Sequence, residues 1–375
     1  MVYGWAMTDR FEIFLVATPG LEAPLCAEAQ DVGFADAAVV PGGVTLQGGW
    51  PEVWRANLML RGATRVLARI GSFRAFHLAQ LDKRSKKFDW GAVLRADMPV
   101  RVEVTCKKSK IYHAGAAAQR IEGGLTAAGL TVAPDARMVI KTRIDDNLVT
   151  FSVDTSGESL HKRGHKEAVN KAPMRETMAA MILRECGYTE GEPVLDPMCG
   201  SGTFVIEAAE MAAGLAPGRT RSFAFEQLAS FDANAWAQLK SQAAPEPSDP
   251  LQRYHGSDRD AGAIRMSQAN AERAGVAEWT DFQMKSIGDI TPPDGPAGLV
   301  IVNPPYGARI GNKKPLFGLY GAMGAVLKER FKGWRVGIVT SDNALAKATA
   351  LPFVNPGPTI AHGGLKIRLF RTDPL

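Results

Sequence analysis

Between Pro193 and Ala209 the chain reads as a short buried strand, a turn carrying two glycines, and a helix, and no other stretch restricts the fold as much. Val194 and Leu195 supply the strand, Asp196-Pro197-Met198-Cys199-Gly200-Ser201-Gly202-Thr203 the turn, and Phe204, Val205, Ile206, Ala208 and Ala209 the apolar helix face. A strand that turns directly into a helix is the unit of an α/β fold. Gly200 and Gly202 let the backbone approach a ligand where a Cβ would collide, and the helix N-terminus behind them favours a carboxylate. The lysine of a phosphate loop is missing, which argues against a nucleoside triphosphate. The dinucleotide glycine spacing also fails, because position 205 is Val.

A second apolar run, Gly298 to Val302, stops at Asn303-Pro304-Pro305-Tyr306-Gly307. Proline removes backbone donors and fixes φ, so this loop has a stiff backbone, a side-chain amide and an aromatic ring at a strand end. Asn-Pro also initiates ordinary turns. The alternative is a holder for a planar base with an exocyclic amine: the Asn303 side-chain oxygen and the Pro304 carbonyl accept from its N–H groups, and Tyr306 stacks. The glycine turn upstream tips the balance toward the ligand reading. A third element, Tyr254 to Asp260, ends a strand on Asp258, where an acid can bind ribose hydroxyls or serve as a turn carboxylate; Asp260 reads as the N-cap of the next helix. The Ala-, Pro- and Ser-rich segment between Ala212 and Pro250 reads as an insert.

The 375 residues fit two or three domains, and a hydrophobic content of 46% suffices for real cores. Cys26, Cys106, Cys186 and Cys199 form no CxxC pair, so neither a disulfide framework nor a metal site is expected, and Cys199 is not expected to be a nucleophile. No apolar stretch is long enough to span a membrane and no signal-peptide pattern opens the chain, so a cytoplasmic protein is expected. The net charge of +5 is unevenly placed: Arg55 to Arg143 holds 18 Lys/Arg against 6 Asp/Glu, while residues 1–54 hold one basic and seven acidic residues. Its densest parts are Lys83 to Lys87 and Lys107-Lys108-Ser109-Lys110-Ile111-Tyr112-His113. A charge run is usually a solvated face. Clustering in one domain points instead to phosphate binding, with affinity that falls steeply with salt.

Strands are expected at Phe11–Val16, Gly43–Leu46, Val100–Thr105, Met138–Arg143, Leu148–Val153 and Arg335–Thr340. Helices are expected at about Leu21–Gln30, Pro51–Leu60, between His113 and Ala128, Arg175–Cys186 and Leu316–Phe331, with a closing hairpin turned at His362-Gly363-Gly364.

Leu160 to His165, Ala172 to Thr177, Leu195 to Gly202, Ala216-Pro217-Gly218 and Asn303 to Gly307 together resemble the THUMP-containing class I S-adenosylmethionine (SAM) methyltransferases, and among them the bacterial rRNA guanine-N2 enzymes with a single methyltransferase domain. Ala17-Thr18-Pro19-Gly20-Leu21-Glu22 and Gly42-Gly43-Val44 are similar to that family's opening ferredoxin-like domain. The resemblance is strongest over residues 156–310. It implies an α/β fold, a Rossmann-like methyltransferase domain at 159–375 preceded by an α+β ferredoxin-like domain at 1–65 and a THUMP RNA-binding domain at 66–158. It implies one modification, the N2 amine of a guanine in rRNA, 23S first, with tRNA as the alternative.

By the same resemblance Asp196 and the backbone from Pro197 through Met198, Cys199, Gly200, Ser201 and Gly202 to Thr203 meet the methionine part of SAM. Thr177 lies near its carboxylate, and Asp258 takes the ribose. The adenine contact falls to Ser286 or Asp289, since Ser286 stands where many relatives have Asp. Asn303, Pro304, Pro305 and Tyr306 are the catalytic set, and Lys107, Lys108, Lys110 and Arg309 contact RNA. His165 is expected to be structural or to meet an RNA phosphate. The chemistry requires alignment of amine, methyl carbon and sulfur, without a metal. DNA adenine-N6 and protein glutamine-N5 methyltransferases share the Asn-Pro-Pro-Tyr pattern and remain alternatives, as does an RNA-binding assembly factor without turnover.

Overall fold

The computed structural model of the chain describes residues 10–167, 174–243, 249–306, 314–354 and 356–375. In chain order its elements are β1 (Phe11–Val16), α1 (Glu22–Asp31), β2 (Ala38–Val40), β3 (Gly43–Gly48), α2 (Trp50–Met59), β4 (Arg65–Arg74), α3 (Leu78–Lys86), β5 (Val100–Lys107), α4 (Ala114–Ala127), β6 (Met138–Asp145) and β7 (Leu148–Asp154). There follow α5 (Glu176–Glu185), β8 (Val194–Asp196), α6 (Thr203–Ala212), α7 (Ala233–Ala243), β9 (Tyr254–Asp258), α8 (Ala261–Ala274), β10 (Thr280–Met284), β11 (Leu299–Val302), α9 (Lys314–Arg330), β12 (Arg335–Thr340), α10 (Asn343–Ala348), β13 (Ile360–His362) and β14 (Leu365–Arg371). Two compact units result: described residues up to Ala17 with Cys26–Leu160 and Gly218–Ala243, and Thr18–Leu25 with His161–Pro217 and the described residues from Asp249 to Leu375.

The first unit is built on one seven-stranded sheet of order β2-β3-β1-β4-β7-β6-β5, antiparallel except for β5 beside β6. β4 has no counterpart among the sequence expectations, because Arg65, Arg69 and Arg74 break its apolar pattern. Tertiary partners neutralise two of them. Arg65 donates to the buried Asp154 at 2.5 Å, and Arg69 pairs with Glu12 and lies over the Phe14 ring at 4.6 Å. A Cβ at Gly71 would sit 2.5 Å from the Phe88 ring, and the register shifts between Arg69 and Gly71 there. β4 then pairs β1 on one side and β7 on the other, joining the N-terminal strands to the basic segment.

The segment read as an insert contributes to this unit. Phe225, Phe231 and Trp236 set their rings 6.0, 5.9 and 6.4 Å from Trp54 of α2, and Gly218 N–H donates to Leu58 O. The helix α3 holds the run Lys83 to Lys87 with its cations exposed, while Ser85 is fully buried against Gly124 of α4.

The second unit is a sheet of order β10-β9-β8-β11-β12-β14-β13, parallel from β10 to β12, with β14 antiparallel to β12 and the expected hairpin joining β13 to β14. This is the Rossmann-like α/β arrangement expected of a class I methyltransferase. Buried Val and Ile runs build its strands because parallel strands are covered on both faces. The core between β11, β12 and α9 gathers Val300, Val302, Tyr320, Met323, Leu327, Phe331 and Ile338. Strand order reverses between β8 and β11, and ligands in such sheets bind in the crevice outside the carboxyl ends at that point.

Candidate functional site

Loops leave the carboxyl ends of β8, β9, β10 and β11, neighbouring strands about 5 Å apart. These loops carry Asp196 to Thr203, Asp258, Ser286 with Asp289, and Asn303 to Tyr306; Thr177 sits instead in the first turn of α5.

The glycine turn after β8 takes its shape from two left-handed residues, Gly200 at φ 56 and Gly202 at φ 79. A Cβ at Gly202 would press on Phe282 and Ser267 at 3.1 Å, so that glycine serves packing. A Cβ at Gly200 would meet no atom of the described residues within 4 Å, so among them the space over the turn is open. Neighbouring elements hold the backbone: Gly200 N–H donates to Asp258 Oδ2 at 3.1 Å, Cys199 N–H to Ser257 O at 3.0 Å, Ser267 Oγ to Gly200 O at 2.9 Å and Asn270 Nδ2 to Ser201 O at 3.0 Å. Asp258 also accepts from Asp260 N–H at 3.0 Å, so the carboxylate assigned to ribose braces the turn as well. Asp260 accepts from Gly262 N–H and caps α8 as expected.

Asp196 is 2% exposed, and its Oδ1 accepts from Met198 N–H at 3.0 Å. Burial, with a further push from the Asp258 charge and against that N–H, raises its carboxyl to about 8. Burial likewise lifts the Cys199 thiol well above its ordinary value, which disfavours the thiolate. Ser286 Oγ donates to Asp289 Oδ2 at 2.6 Å, and both residues are exposed, so the two candidates for the adenine contact form one hydrogen-bonded pair.

At the end of β11 Asn303 is half-buried, Pro304 buried and Pro305 exposed. Tyr306 packs against the core formed with α9, and burial raises its hydroxyl to about 12, keeping it a neutral phenol. The hydroxyl of Tyr320, fully buried, shares its proton between Pro305 O at 3.4 Å and Thr340 Oγ1 at 3.3 Å, and so ties the loop to α9 and β12. Within the candidate set and its supports, three buried polar atoms have no hydrogen-bond partner among the described residues: Thr177 Oγ1, Ser257 Oγ and Asn303 Oδ1. Such an atom stays costly until something pairs it. A ligand with carboxylate, hydroxyl and amine groups suits these three positions.

Behind the turn, Arg163 and Glu207 have side chains about 1% exposed; Arg163 Nη1 donates to both carboxylate oxygens of Glu207, at 2.8 and 2.6 Å, with Glu210 at 3.6 Å. Lys166 pairs with Glu176 at 3.5 Å, and Arg273 donates to His165 O at 2.7 Å and to Asn270 Oδ1. His165 is 7% exposed, its carbonyl is held by Arg273, and burial lowers its pKa. Sequence reasoning missed Ser257, Ser267, Asn270, Arg273 and Tyr320 as site supports. Only the polar residues on otherwise apolar helix faces, Ser267 and Asn270, left a visible signal.

Lys107, Lys108 and Lys110 are exposed on the first unit. Arg309 lies outside the described residues. Among the described residues no group of three His, Cys, Asp or Glu side chains is arranged to hold a metal, and no helix is long and apolar enough to cross a membrane.

Residues 163–353 match the family of RMKL-like methyltransferase domains, and residues 12–67 match the RlmL ferredoxin-like domain. The chain is 32% identical over 372 residues to a Synechocystis sp. protein described as "Putative RNA methyltransferase slr0064", with 96% of each sequence covered. A crystal structure of a possible methylase from Clostridium difficile 630 superposes with a TM-score of 0.89 at 27% identity, over 98% of this chain and 99% of that one. SMU.472, "a putative methyltransferase complexed with SAH", superposes with a TM-score of 0.88 at 26% identity, over 98% and 99%.

Proposed function

The chain belongs to the RMKL-like methyltransferase family with an RlmL-type ferredoxin-like start, and we propose that it methylates the exocyclic N2 amine of an unpaired guanine in RNA, large-subunit rRNA first. Its cofactor is S-adenosylmethionine, in keeping with the S-adenosylhomocysteine held by a structural relative. When bound, that cofactor supplies an electrophilic methyl carbon on a sulfonium. Thr177, Asp196, the turn from Pro197 to Thr203, Asp258 and the Ser286–Asp289 pair would hold it.

One observation carries the reading of the reacting end: Asn303 Oδ1 is buried, without a partner among the described residues, at the carboxyl end of β11. An acceptor left waiting there pairs with an N–H of the incoming amine. Guanine N2 is a weak nucleophile because its lone pair is delocalised into the ring. Hydrogen bonds from its two N–H groups to Asn303 Oδ1 and the Pro304 carbonyl would raise electron density on nitrogen toward the methyl carbon, whose bond to sulfur would break as the bond to nitrogen formed, with S-adenosylhomocysteine as the leaving group. Tyr306 stacks on the base, and Pro305 and Tyr320 keep the loop in place. The proton lost from nitrogen passes to water. A paired guanine cannot enter, so the target nucleotide is unpaired or flipped out. The basic segment at 66–158, with Lys107, Lys108 and Lys110, is the proposed THUMP RNA-docking part and favours RNA over DNA or protein.

The test is incubation of the purified chain with methyl-labelled cofactor and rRNA or tRNA from a deletion strain, followed by nucleoside digestion and mass analysis. Label in N2-methylguanosine from rRNA is expected. Label in N6-methyladenosine, or in tRNA alone, would overturn the substrate assignment.

A further inference from the structure

The expected RNA contacts at Lys107, Lys108 and Lys110 are not an isolated charge run: the fold brings two exposed rings to the same corner of the first unit. Asn147, between β6 and β7, is the hub. Its main-chain carbonyl accepts from Ala75 N–H at 3.0 Å, its Oδ1 from Lys110 N–H at 2.8 Å, and its own N–H donates to Ser109 Oγ at 2.9 Å. The residue is left-handed at φ 61, a conformation Asn tolerates. Through it, stretches far apart in sequence meet, one carrying Phe76 and the other Tyr112. Tyr112 is 83% exposed and Phe76 42%, although Ile111 beside Tyr112 is 4% exposed and anchors the loop. The Lys110 ammonium lies 5.6 Å from the centroid of the Phe76 ring.

Exposed rings set among clustered cations offer a contact surface that a purely solvated charge run lacks. The charge around them selects the partner. Arg74, Lys107, Lys108, Lys110 and Arg143 gather here against Asp145 and Asp146, and those two acids pair with Arg143 at 2.6 Å and Arg74 at 3.9 Å. An excess of cations interleaved with aromatic faces is complementary to phosphates and unstacked bases together. A duplex buries its base faces and would meet only the charge.

We propose that this corner, with Phe76 and Tyr112 as stacking faces and Lys108 and Lys110 as phosphate contacts, binds a single-stranded stretch of the RNA substrate, separate from the nucleotide that is methylated. The proposal rests on the reading of the chain as an RNA enzyme. It adds that the RNA must present unpaired bases at a second place.

The experiment measures binding of the full chain to a short single-stranded RNA and to a blunt duplex of the same sequence across a salt series. The single strand is expected to bind more tightly. Phe76→Ala with Tyr112→Ala should weaken single-strand binding at least about tenfold, the scale of losing a stacked base, without changing the salt slope. Lys110→Ala should lower that slope by about one. Tyr112→Phe should retain binding, because the ring and not the hydroxyl makes the contact. Equal binding of both RNAs with no effect of the double variant would overturn this proposal alone. Binding of neither RNA would overturn the RNA reading and this proposal with it.

Discussion

Replacing Asp196 by Asn should make the cofactor-free protein more stable while removing its grip on cofactor. The carboxyl is 2% exposed and burial raises it from 3.8 to about 8. The sign follows from proton counts. The unfolded chain loses this proton near 3.8, while the folded protein keeps it until about 8, so between those values the folded state binds more protons. Stability therefore falls as pH rises through that window, is unaffected below it, and is lowest above about 8. A gap of about four units at about 1.4 kcal/mol each sets an upper bound of about 6 kcal/mol, reached above pH 8. Asn cannot ionise and its side-chain oxygen can still accept from Met198 N–H, so Asp196→Asn should recover part of that sum, about 2–4 kcal/mol at pH 8, and little at pH 5. Urea unfolding at both pH values, with and without S-adenosylmethionine, measures it. The cationic cofactor should stabilise the wild type at pH 8 and fail to stabilise the variant. A variant no more stable than wild type at pH 8, or a wild type whose cofactor-free stability rises from pH 5 to 8, would refute the reasoning.

Asn303→Ala should lower kcat by about 100-fold, the scale of losing one preorganised hydrogen-bonding group, with cofactor affinity unchanged; comparable turnover would remove its proposed role. Tyr320→Phe deletes a phenol that holds the Pro305 carbonyl and should reduce kcat by roughly fivefold and stability by about 1 kcal/mol, with KM for cofactor unmoved. A change in KM alone would show that the hydroxyl does not position the reacting loop. Glu207→Leu leaves the Arg163 guanidinium buried with Glu210 at 3.6 Å, and a loss of about 3 kcal/mol in urea unfolding is expected. An unchanged midpoint would mean the pair contributes nothing net. Truncating residues 1–155 is a poor test of RNA docking, since it removes Trp54 from the rings of Phe225, Phe231 and Trp236.

Elements governed by local pattern were legible in the chain itself. Val194 to Thr203 announced a strand, a glycine turn and a helix because burial of a parallel strand demands an apolar run and a left-handed turn demands glycine. Gly363-Gly364 announced the last hairpin for the same reason. The stiff amide-bearing loop at Asn303 was visible because proline acts on its own neighbours.

Features whose physics depends on distant residues could not be read that way. β4 stayed hidden because its arginines find Asp154, Glu12 and Phe14 only in the folded sheet. The stretch from Gly218 to Ala243 looked like a detour, yet its rings complete the packing around Trp54. Sequence alone thus settled which chemical groups stand at each strand end, since that is a matter of local propensity. Which of them become neighbours, which are stripped of water, and which are left without a partner among the described residues, as with Asn303 and Thr177, was decided by strand order and close packing.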